Sequence, residues 1–223
     1  YSYFEIADYT SAEPLFGKLK DENSSYREPS IYYYAYINYL SGDYKTALVE
    51  FERLKGSKTY ENTYPYYISA LYFLDKRYDD VINYAIPALK NSSQQYETEM
   101  FRIVGASYFA KSDYTNAWVY YQKFQLKDNG KTQNNQDNYQ IGYTHYQLKN
   151  YPKSILELEK LDTPDQYYQS GMIALGQSFL KTGNKQSARS AFFKASKLSF
   201  DKGLQEEGLF NYAKLSYELE FHQ

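Results

Sequence analysis

The 223-residue sequence contains no cysteine, one tryptophan and two histidines. Without cysteine the chain cannot form a disulfide framework, a thiolate zinc site or a cysteine nucleophile. The two histidines, His145 and His222, do not supply the three or four ligands that a metal site needs. No apolar run reaches the roughly 18–20 residues that cross a bilayer. We therefore predict no metal, no cofactor, no catalytic residues and no direct membrane insertion by this segment.

An excess of positive charge is also missing. Lysine and arginine number 25 and aspartate and glutamate number 27, which gives a formal net charge of −2. Because nucleic-acid binders usually carry a basic surplus, we predict no nucleic-acid partner. The lack of cysteine fits the cytosol and the periplasm alike. Combined with a high tyrosine content, it inclines the interpretation toward a bacterial envelope or periplasmic setting.

Tyrosine is the residue that the chain has in abundance, with 30 copies against 13 phenylalanines. A tyrosine ring buries apolar surface, whereas its hydroxyl group needs a hydrogen-bond partner or water. Such a side chain suits helix faces that are half buried and half exposed to solvent. The sequence therefore favours helices with wet aromatic faces over a dry, fully enclosed core.

One short phrase recurs along the chain, most clearly at Gly42–Ala47 (GDYKTA) and Ser112–Ala117 (SDYTNA). Successive copies lie 34 to 37 residues apart. A fixed period in the range of roughly 20–50 residues indicates a stack of supersecondary units, each packed on its neighbours. Aligned on the turn tyrosine or its equivalent, the six copies are centred on Tyr9, Tyr44, Tyr78, Tyr114, Tyr151 and Lys185.

A small residue also precedes each later turn position at a constant spacing. These residues are Ala35, Ser69, Gly105, Gly142, Gly176 and, by extension, Ala213. In period and pattern the chain resembles the tetratricopeptide repeat family. The resemblance implies an all-α, right-handed superhelical solenoid of antiparallel helix pairs. We expect residues 1–223 to form one such domain, with about five full repeats and a partial repeat at each end, cut from a longer array.

After each turn, apolar residues recur at spacings of four and three, which places them on one face of a second helix. We predict that these stripes form the core: Ala47, Phe51 and Leu54; Ala117, Tyr121 and Phe124; Ser154, Leu158 and Leu161; Ala188, Phe192 and Ala195. Pro87 predicts a kink or break in the helix from Arg77 to Lys90. Residues 127–138 are predicted to form a long loop. Residues 209–220 are predicted to form the first helix of a last, incomplete repeat. His145 is interpreted as a packed structural residue.

In the family that the chain resembles, the first helices line a concave groove that accepts a peptide or a partner helix. Carried over to matching positions, this implies a partner-binding groove at Tyr32, Tyr36, Tyr39, Tyr66, Phe73, Arg102, Tyr139, Tyr143 and Tyr146. The same stripes include Glu99, Phe109, Ile173, Gln177 and Lys181. Two interpretations remain open: the rings are packed between neighbouring first helices, or they are exposed and bind. A subgroup of that family binds a C-terminal carboxylate with Lys, Asn and Arg at these positions. This chain has Tyr32 and Tyr36 at the first pair and only Arg102 and Lys181 as cations, so we do not expect that kind of recognition.

We expect this chain to be a scaffold or adaptor that binds a protein or peptide partner in an aromatic groove, and not an enzyme. An alternative is carbohydrate binding by aromatic stacking. In that case the rings should be exposed, coplanar and flanked by carboxylates or amides. A third hypothesis is a regulatory segment of a larger multidomain protein whose catalytic part lies elsewhere.

Overall fold

The computed structural model describes residues 1–90 and 94–221, and in these ranges the regular structure is helical, as predicted. His222 lies outside the described residues. The helices are α1 (Ser2–Glu5), α2 (Tyr9–Leu19), α3 (Arg27–Ser41), α4 (Tyr44–Glu52), α5 (Tyr64–Leu74), α6 (Tyr78–Ala88), α7 (Gln94–Ala110), α8 (Tyr114–Asp128), α9 (Asn135–Gln147), α10 (Tyr151–Leu158), α11 (Gln166–Lys181), α12 (Lys185–Ser196) and α13 (Lys202–Phe221).

The chain divides into two compact units, Tyr1–Ser107 and Tyr108–Gln223. In the first unit α2 packs on α3, α3 on α4 and α5 on α6. In the second unit α9 packs on α10, α11 on α12 and α12 on α13, while α9 also contacts α11 and α11 contacts α13. Because only two or three residues connect the helices of a pair, consecutive helices run antiparallel.

The six recurring turns share one construction. In each turn the second helix begins at the aligned residue, from Tyr9 in α2 to Lys185 in α12. Two residues earlier the backbone has a positive φ, at Ala7 (58°), Gly42 (86°), Lys76 (57°), Ser112 (60°), Lys149 (59°) and Gly183 (82°). In five turns the intervening residue caps the helix by accepting a hydrogen bond from a backbone N–H three residues later: Asp8, Asp43, Asp113, Asn150 and Asn184. The repeated phrase is therefore a reversal followed by a helix N-cap.

The second-helix stripes form the core, as predicted. All twelve predicted residues are at most 6% exposed. Five of the six small residues, Ala35, Ser69, Gly105, Gly142 and Gly176, are also buried. A Cβ atom at Gly176 would lie 2.7 Å from the ring of Phe192, and one at Gly142 would lie 2.6 Å from Cγ of Leu158. At both positions the two helices of a pair approach so closely that no side chain fits between them.

The prediction was wrong for the sixth small residue, because Ala213 is exposed. Helix α13 begins at Lys202, well before the predicted start at Leu209. It therefore packs on α12 through an earlier residue, Gly208, where a Cβ atom would lie 2.9 Å from the carbonyl oxygen of Phe192. The register found in the earlier repeats does not extend to this helix.

Two boundaries also differ from the predictions. Helix α6 continues through Pro87 and ends at Ala88, so the prediction of a break at Pro87 was wrong. Only one helical residue follows Pro87, so the hydrogen bond that its missing N–H group would make to Asn83 is lost near the end of the helix. Helix α8 extends to Asp128, whose carboxylate accepts a hydrogen bond from the backbone N–H of Thr132 at 3.1 Å. The connection to α9 is therefore shorter than the predicted loop.

Candidate functional site

Three of the predicted groove residues, Tyr139, Tyr143 and Tyr146, lie on one stripe of α9. Asn134 and Asp137 form a capping box that fixes the start of this helix. The three rings are half-buried. Neighbouring ring centroids are 5.7 and 5.9 Å apart, and both pairs of ring planes are inclined by 33°. Burial raises the pKa of Tyr139 to about 12. The three tyrosines form a continuous aromatic row.

Other aromatic rings of the second unit pack against this row. Tyr143 makes edge contacts with Phe109 and Tyr114, each with centroids 5.9 Å apart. Tyr146 packs on Tyr151 at a centroid distance of 5.9 Å. Edge contacts of this kind hold an aromatic ring in one orientation and stabilise it beyond simple area burial. The position of the row is therefore set by packing within the second unit.

The row forms one wall of an open cavity of about 420 Å³, which we call the tyrosine recess. The other walls come from α11 and α13. The recess is lined by Tyr139, Tyr143, Tyr146, Ser170, Ile173, Ala174, Gln177, Leu204 and Glu207. Ile173 and Gln177 lie on the predicted stripe of α11. Leu204 and Glu207 were missed by the sequence analysis, because α13 was predicted to begin at Leu209.

A second open cavity of about 330 Å³ adjoins the tyrosine recess and shares Tyr139, Ser170 and Leu204 with it. Its lining adds Gln166, Tyr167, Gln169, Phe200 and Asp201. The carboxylate of Asp201 accepts a hydrogen bond from the backbone N–H of Leu204 at 3.0 Å, which caps the start of α13. Gln169 is fully buried and binds the backbone of the segment that leads into α13. The two recesses together form a site on one side of α11.

In the first unit, Tyr32, Tyr36 and Tyr39 lie on α3 and are half-buried. The rings of Tyr32 and Tyr36 are nearly parallel, with centroids 6.3 Å apart. Tyr32 also stacks with Tyr60, with the ring centroids 4.8 Å apart. Burial raises the pKa of Tyr32 to about 12. Tyr36 and Tyr39 each make an edge contact with Tyr67, so the three rings pack on other aromatic rings of the first unit.

Tyr66 and Phe73 lie on α5, and Arg102 lies on α7. Tyr66 stacks with Tyr96 at a centroid distance of 5.0 Å, and burial raises its pKa to about 12. Arg102 forms an ion pair with Glu99, with 2.6 Å between nitrogen and oxygen. The predicted groove residues of this unit are therefore engaged in ring contacts and an ion pair within the unit.

Tyr67 was missed by the sequence analysis, although it is the centre of the first unit's aromatic cluster. It is 6% exposed, and its ring lies parallel to that of Phe51 with centroids 4.7 Å apart. Edge contacts join it to Tyr36 and Tyr39 at 5.7 and 5.5 Å. Burial raises the pKa of Tyr67 well above its usual value, and the nearby side chain of Tyr32 acts in the same direction. The sequence signal that could have identified Tyr67 is its position two residues before Ser69, the small residue of its repeat.

The turn aromatics pack on the first helices by a repeated contact. In five turns, the first residue of the second helix contacts the ring five positions earlier. The pairs are Phe4–Tyr9, Tyr39–Tyr44, Phe73–Tyr78, Phe109–Tyr114 and Tyr146–Tyr151, with centroid distances between 5.5 and 6.0 Å. Three of the predicted groove residues, Tyr39, Phe73 and Tyr146, are members of such pairs. The turn tyrosines thus help to position the predicted groove.

His145 is buried, and its ring centroid lies 4.2 Å from that of Trp118. Burial lowers its pKa to about 4, and the nearby charge of Lys153 acts in the same direction. The side chain is therefore neutral at physiological pH and packs as the sequence analysis predicted. Among the described residues no group of three or more His, Cys, Asp or Glu side chains is placed to hold a metal. No helix in the described ranges is both long and apolar enough to cross a membrane.

Some proteins of known structure resemble this chain in their fold. No protein-family model and no curated protein sequence matches the chain. Among solved structures it is similar to YrrB, a TPR protein with an unusual peptide-binding site, at 15% identity and a TM-score of 0.68, over 85% of this chain and 94% of YrrB. It is also similar to the C-terminal part of a TPR repeat-containing protein from Cytophaga hutchinsonii, at 18% identity and a TM-score of 0.57, over 84% of this chain and 80% of that one.

A tetratricopeptide repeat protein from Parabacteroides merdae is 14% identical, with a TM-score of 0.52 over 96% of this chain and 95% of that chain. At these identities the comparisons establish the fold. The helix pairs, the capped turns and the close contacts at small residues are those of a tetratricopeptide-type α-solenoid. The resemblance expected from the sequence is confirmed at this level.

Proposed function

We propose that this chain is a protein-interaction module that binds a peptide segment of a partner protein in the tyrosine recess. The observation that carries the proposal is the recess of about 420 Å³ lined by Tyr139, Tyr143 and Tyr146 on α9 and by Gln177 and Glu207 opposite. Its volume falls within the range of roughly 300–1,000 Å³ usual for ligand pockets. It suits a few side chains of an extended or helical segment better than a flat protein surface.

The composition of the lining supports a peptide as the ligand. Tyrosine is enriched at binding hot spots, because its ring gives a large contact area and its hydroxyl group gives a hydrogen bond. Because the row is already held by Phe109 and Tyr114, little side-chain entropy would be lost on binding. YrrB has the same fold and a peptide-binding site, which supports this role for the fold. The formal net charge of −2 favours a protein partner over a nucleic acid.

In the first unit we propose a separate set of partner contacts at the predicted groove residues. Tyr32, Tyr36, Tyr39, Tyr66 and Phe73 each contact other aromatic rings within the unit. We therefore place the main binding energy in the tyrosine recess. The module would act as a scaffold or adaptor, with the partner's chemistry residing elsewhere.

Carbohydrate binding is the alternative function that the recess allows. An amide and a carboxylate, Gln177 and Glu207, lie beside the aromatic row and could bind sugar hydroxyl groups. However, the planes of neighbouring tyrosine rings are inclined by 33°, which does not give the flat platform on which sugar rings stack. A glycan array probed with the purified chain tests this alternative, and specific hits would favour it over the peptide.

The proposal is tested by selecting peptides from a random 12-residue phage-display library on the purified chain. Selected peptides are synthesised, and their Kd is measured by fluorescence anisotropy. We expect the double variant Tyr143→Ala with Tyr146→Ala to weaken binding at least tenfold, as for loss of an aromatic hot spot. Because these rings also pack inside the unit, Gln177→Ala provides a milder second variant with an expected loss of about threefold.

The matched control is Tyr217→Ala, since this tyrosine is 65% exposed and does not line the recess. It should leave Kd unchanged. Circular dichroism of every variant should show unchanged helicity. The proposal would be wrong if no peptide were selected, or if the recess variants bound selected peptides as tightly as the control.

A further inference from the structure

The charged groups around the tyrosine recess have one sign. Glu207 is the one charged residue in its lining, and Asp201 is the one charged residue in the lining of the adjoining recess. Neither lining includes a lysine or an arginine. This contrasts with the whole chain, in which cations and anions nearly balance, at 25 and 27. The site is therefore locally anionic and aromatic.

The carboxylate of Glu207 is placed to act on a ligand. It is half-buried on α13 and accepts a hydrogen bond from Nε2 of Gln177 at 3.3 Å. Within the described ranges, no lysine or arginine nitrogen lies within ion-pair distance of it, whereas Glu206 and Glu218 on the same helix pair with Lys202 and Lys185. Because no cation of the described residues neutralises it, the carboxylate of Glu207 retains its capacity to attract a cationic ligand.

The tyrosine rings beside this carboxylate favour the same ligand chemistry. A tyrosine ring face attracts an ammonium or guanidinium group when the cation lies within about 6 Å of the ring centroid. The chain already shows such contacts elsewhere, with Nζ of Lys153 lying 5.6 Å from the ring of Trp118. Tyr146 and Glu207 line the same recess, so the ring and the carboxylate can act on one ligand.

Given the proposed peptide-binding function, we infer that the tyrosine recess selects a basic side chain, lysine or arginine, of the bound peptide. The cationic head would lie against the rings of Tyr143 and Tyr146 and form a charge-assisted hydrogen bond with Glu207. The aliphatic part of the same side chain would pack on Ile173 and Leu204. A peptide carboxylate in this position would be repelled by Glu207, so the recess discriminates against acidic segments.

The test compares the peptides selected from the random library with variants of both partners. We expect lysine or arginine to be enriched in the selected peptides. Replacing the key basic residue of a peptide by norleucine should weaken binding to the native chain about tenfold. Glu207→Gln should cause a similar loss, and it keeps a side chain able to hydrogen-bond with Gln177. When both changes are combined, the loss of affinity should be smaller than the product of the two separate losses, because both changes remove the same interaction.

The matched control is Glu206→Gln, which removes the same charge from the neighbouring residue on α13, where the side chain is 69% exposed. It should leave Kd within about twofold of the native value, because exposed surface charges contribute little. Binding that is lost on Tyr143→Ala with Tyr146→Ala, but shows no basic enrichment and no effect of Glu207→Gln, would overturn this inference and leave the proposed function intact. Absence of any selected peptide would overturn both.

Discussion

The side chain of Gln169 holds the backbone of Asp201 from both sides. Its Nε2 donates to the carbonyl oxygen of Asp201 at 3.0 Å, and its Oε1 accepts from the N–H of Asp201 at 2.8 Å. The same Nε2 lies 2.8 Å from the carbonyl oxygen of Leu198. Gln169 is fully buried on α11, so this amide fixes where α13 begins. It thereby positions Leu204 and Glu207 in the recess.

We predict that Gln169→Leu lowers the free energy of unfolding by about 3 kcal/mol. The change removes the three hydrogen bonds of this amide to the backbone of Leu198 and Asp201, each of which contributes about 0.5–1.5 kcal/mol. Urea denaturation followed by circular dichroism measures the loss. A control variant on the same helix, Lys181→Gln, is exposed and should change stability by less than about 0.5 kcal/mol. Equal stabilities of the two variants would show that the amide contact carries little energy.

The turn residues with positive φ give a second prediction. Ser112 and Lys149 adopt φ values of 60° and 59°, where a side chain is strained, whereas Gly42 occupies the equivalent position at 86° without strain. Ser112→Gly and Lys149→Gly should each raise the free energy of unfolding by about 0.5–1 kcal/mol, since relief of strain exceeds the added entropy of the unfolded chain.

The reciprocal change, Gly42→Ala, should lower the free energy of unfolding by about 1 kcal/mol. The position has no heavy atom within 4 Å of an added Cβ, so the effect would come from the backbone alone. Thermal denaturation of the three variants should therefore show two increases in Tm and one decrease. A decrease for Ser112→Gly and Lys149→Gly would contradict the strain that we assign to these turn positions.

A third prediction concerns the contact between Gly176 and Phe192. Gly176→Ala should lower the free energy of unfolding by about 1–3 kcal/mol, although alanine is the better helix former, because its Cβ would lie 2.7 Å from the ring. Adding Phe192→Leu should recover part of the loss by making room for the methyl group. If the double variant were less stable than the sum of the two single changes predicts, the proposed steric clash would be wrong.

His145 predicts a pH dependence of stability. Its pKa in the folded chain is about 4, below the value of about 6.5 for an unfolded histidine. Since the unfolded state binds the proton more tightly, this contribution to stability is complete above pH 6.5 and is lost as the pH falls toward 4. The loss should reach about 2 kcal/mol between pH 7 and pH 5.

His145→Phe should remove this slope between pH 7 and pH 5 while keeping a ring against Trp118. The window lies above the range in which unfolded carboxylates titrate, so the difference between the native chain and the variant isolates His145. Lys153 and Glu157, the charged groups that act on the histidine, are present in both proteins. Parallel stability curves for the two proteins would mean that the histidine is not held neutral by burial.

Much of the fold followed from local sequence patterns. The turn positions were predictable because Asp or Asn followed by tyrosine gives a reversal and a helix cap within a few residues. The stripe Ala47, Phe51 and Leu54 was predictable because helical periodicity alone decides which residues share a face. In both cases the information lies within one or two helical turns of the residues concerned.

The candidate site was predictable only in part, because its walls meet through contacts distant in sequence. The row Tyr139, Tyr143 and Tyr146 was carried over from the resemblance to tetratricopeptide repeats, and its spacing placed the three residues on one face of α9. Glu207 was missed because the start of α13 depends on the buried contact between Gln169 and Asp201, whose partners are separated by 32 residues. Whether a tyrosine packs on other rings or lines a recess also depends on which helices become neighbours, and periodicity within one helix does not contain that information.

The central claim is that a peptide binds against the aromatic row of α9. It is tested most directly by placing the photo-crosslinking residue p-benzoylphenylalanine at position 146, in place of Tyr146, and irradiating the chain with a selected peptide. The same residue at position 217 serves as the control, because Tyr217 is exposed and does not line the recess. We predict a crosslinked peptide from position 146 and none from position 217. Equal crosslinking from both positions, or crosslinking from position 217 alone, would contradict binding in the tyrosine recess.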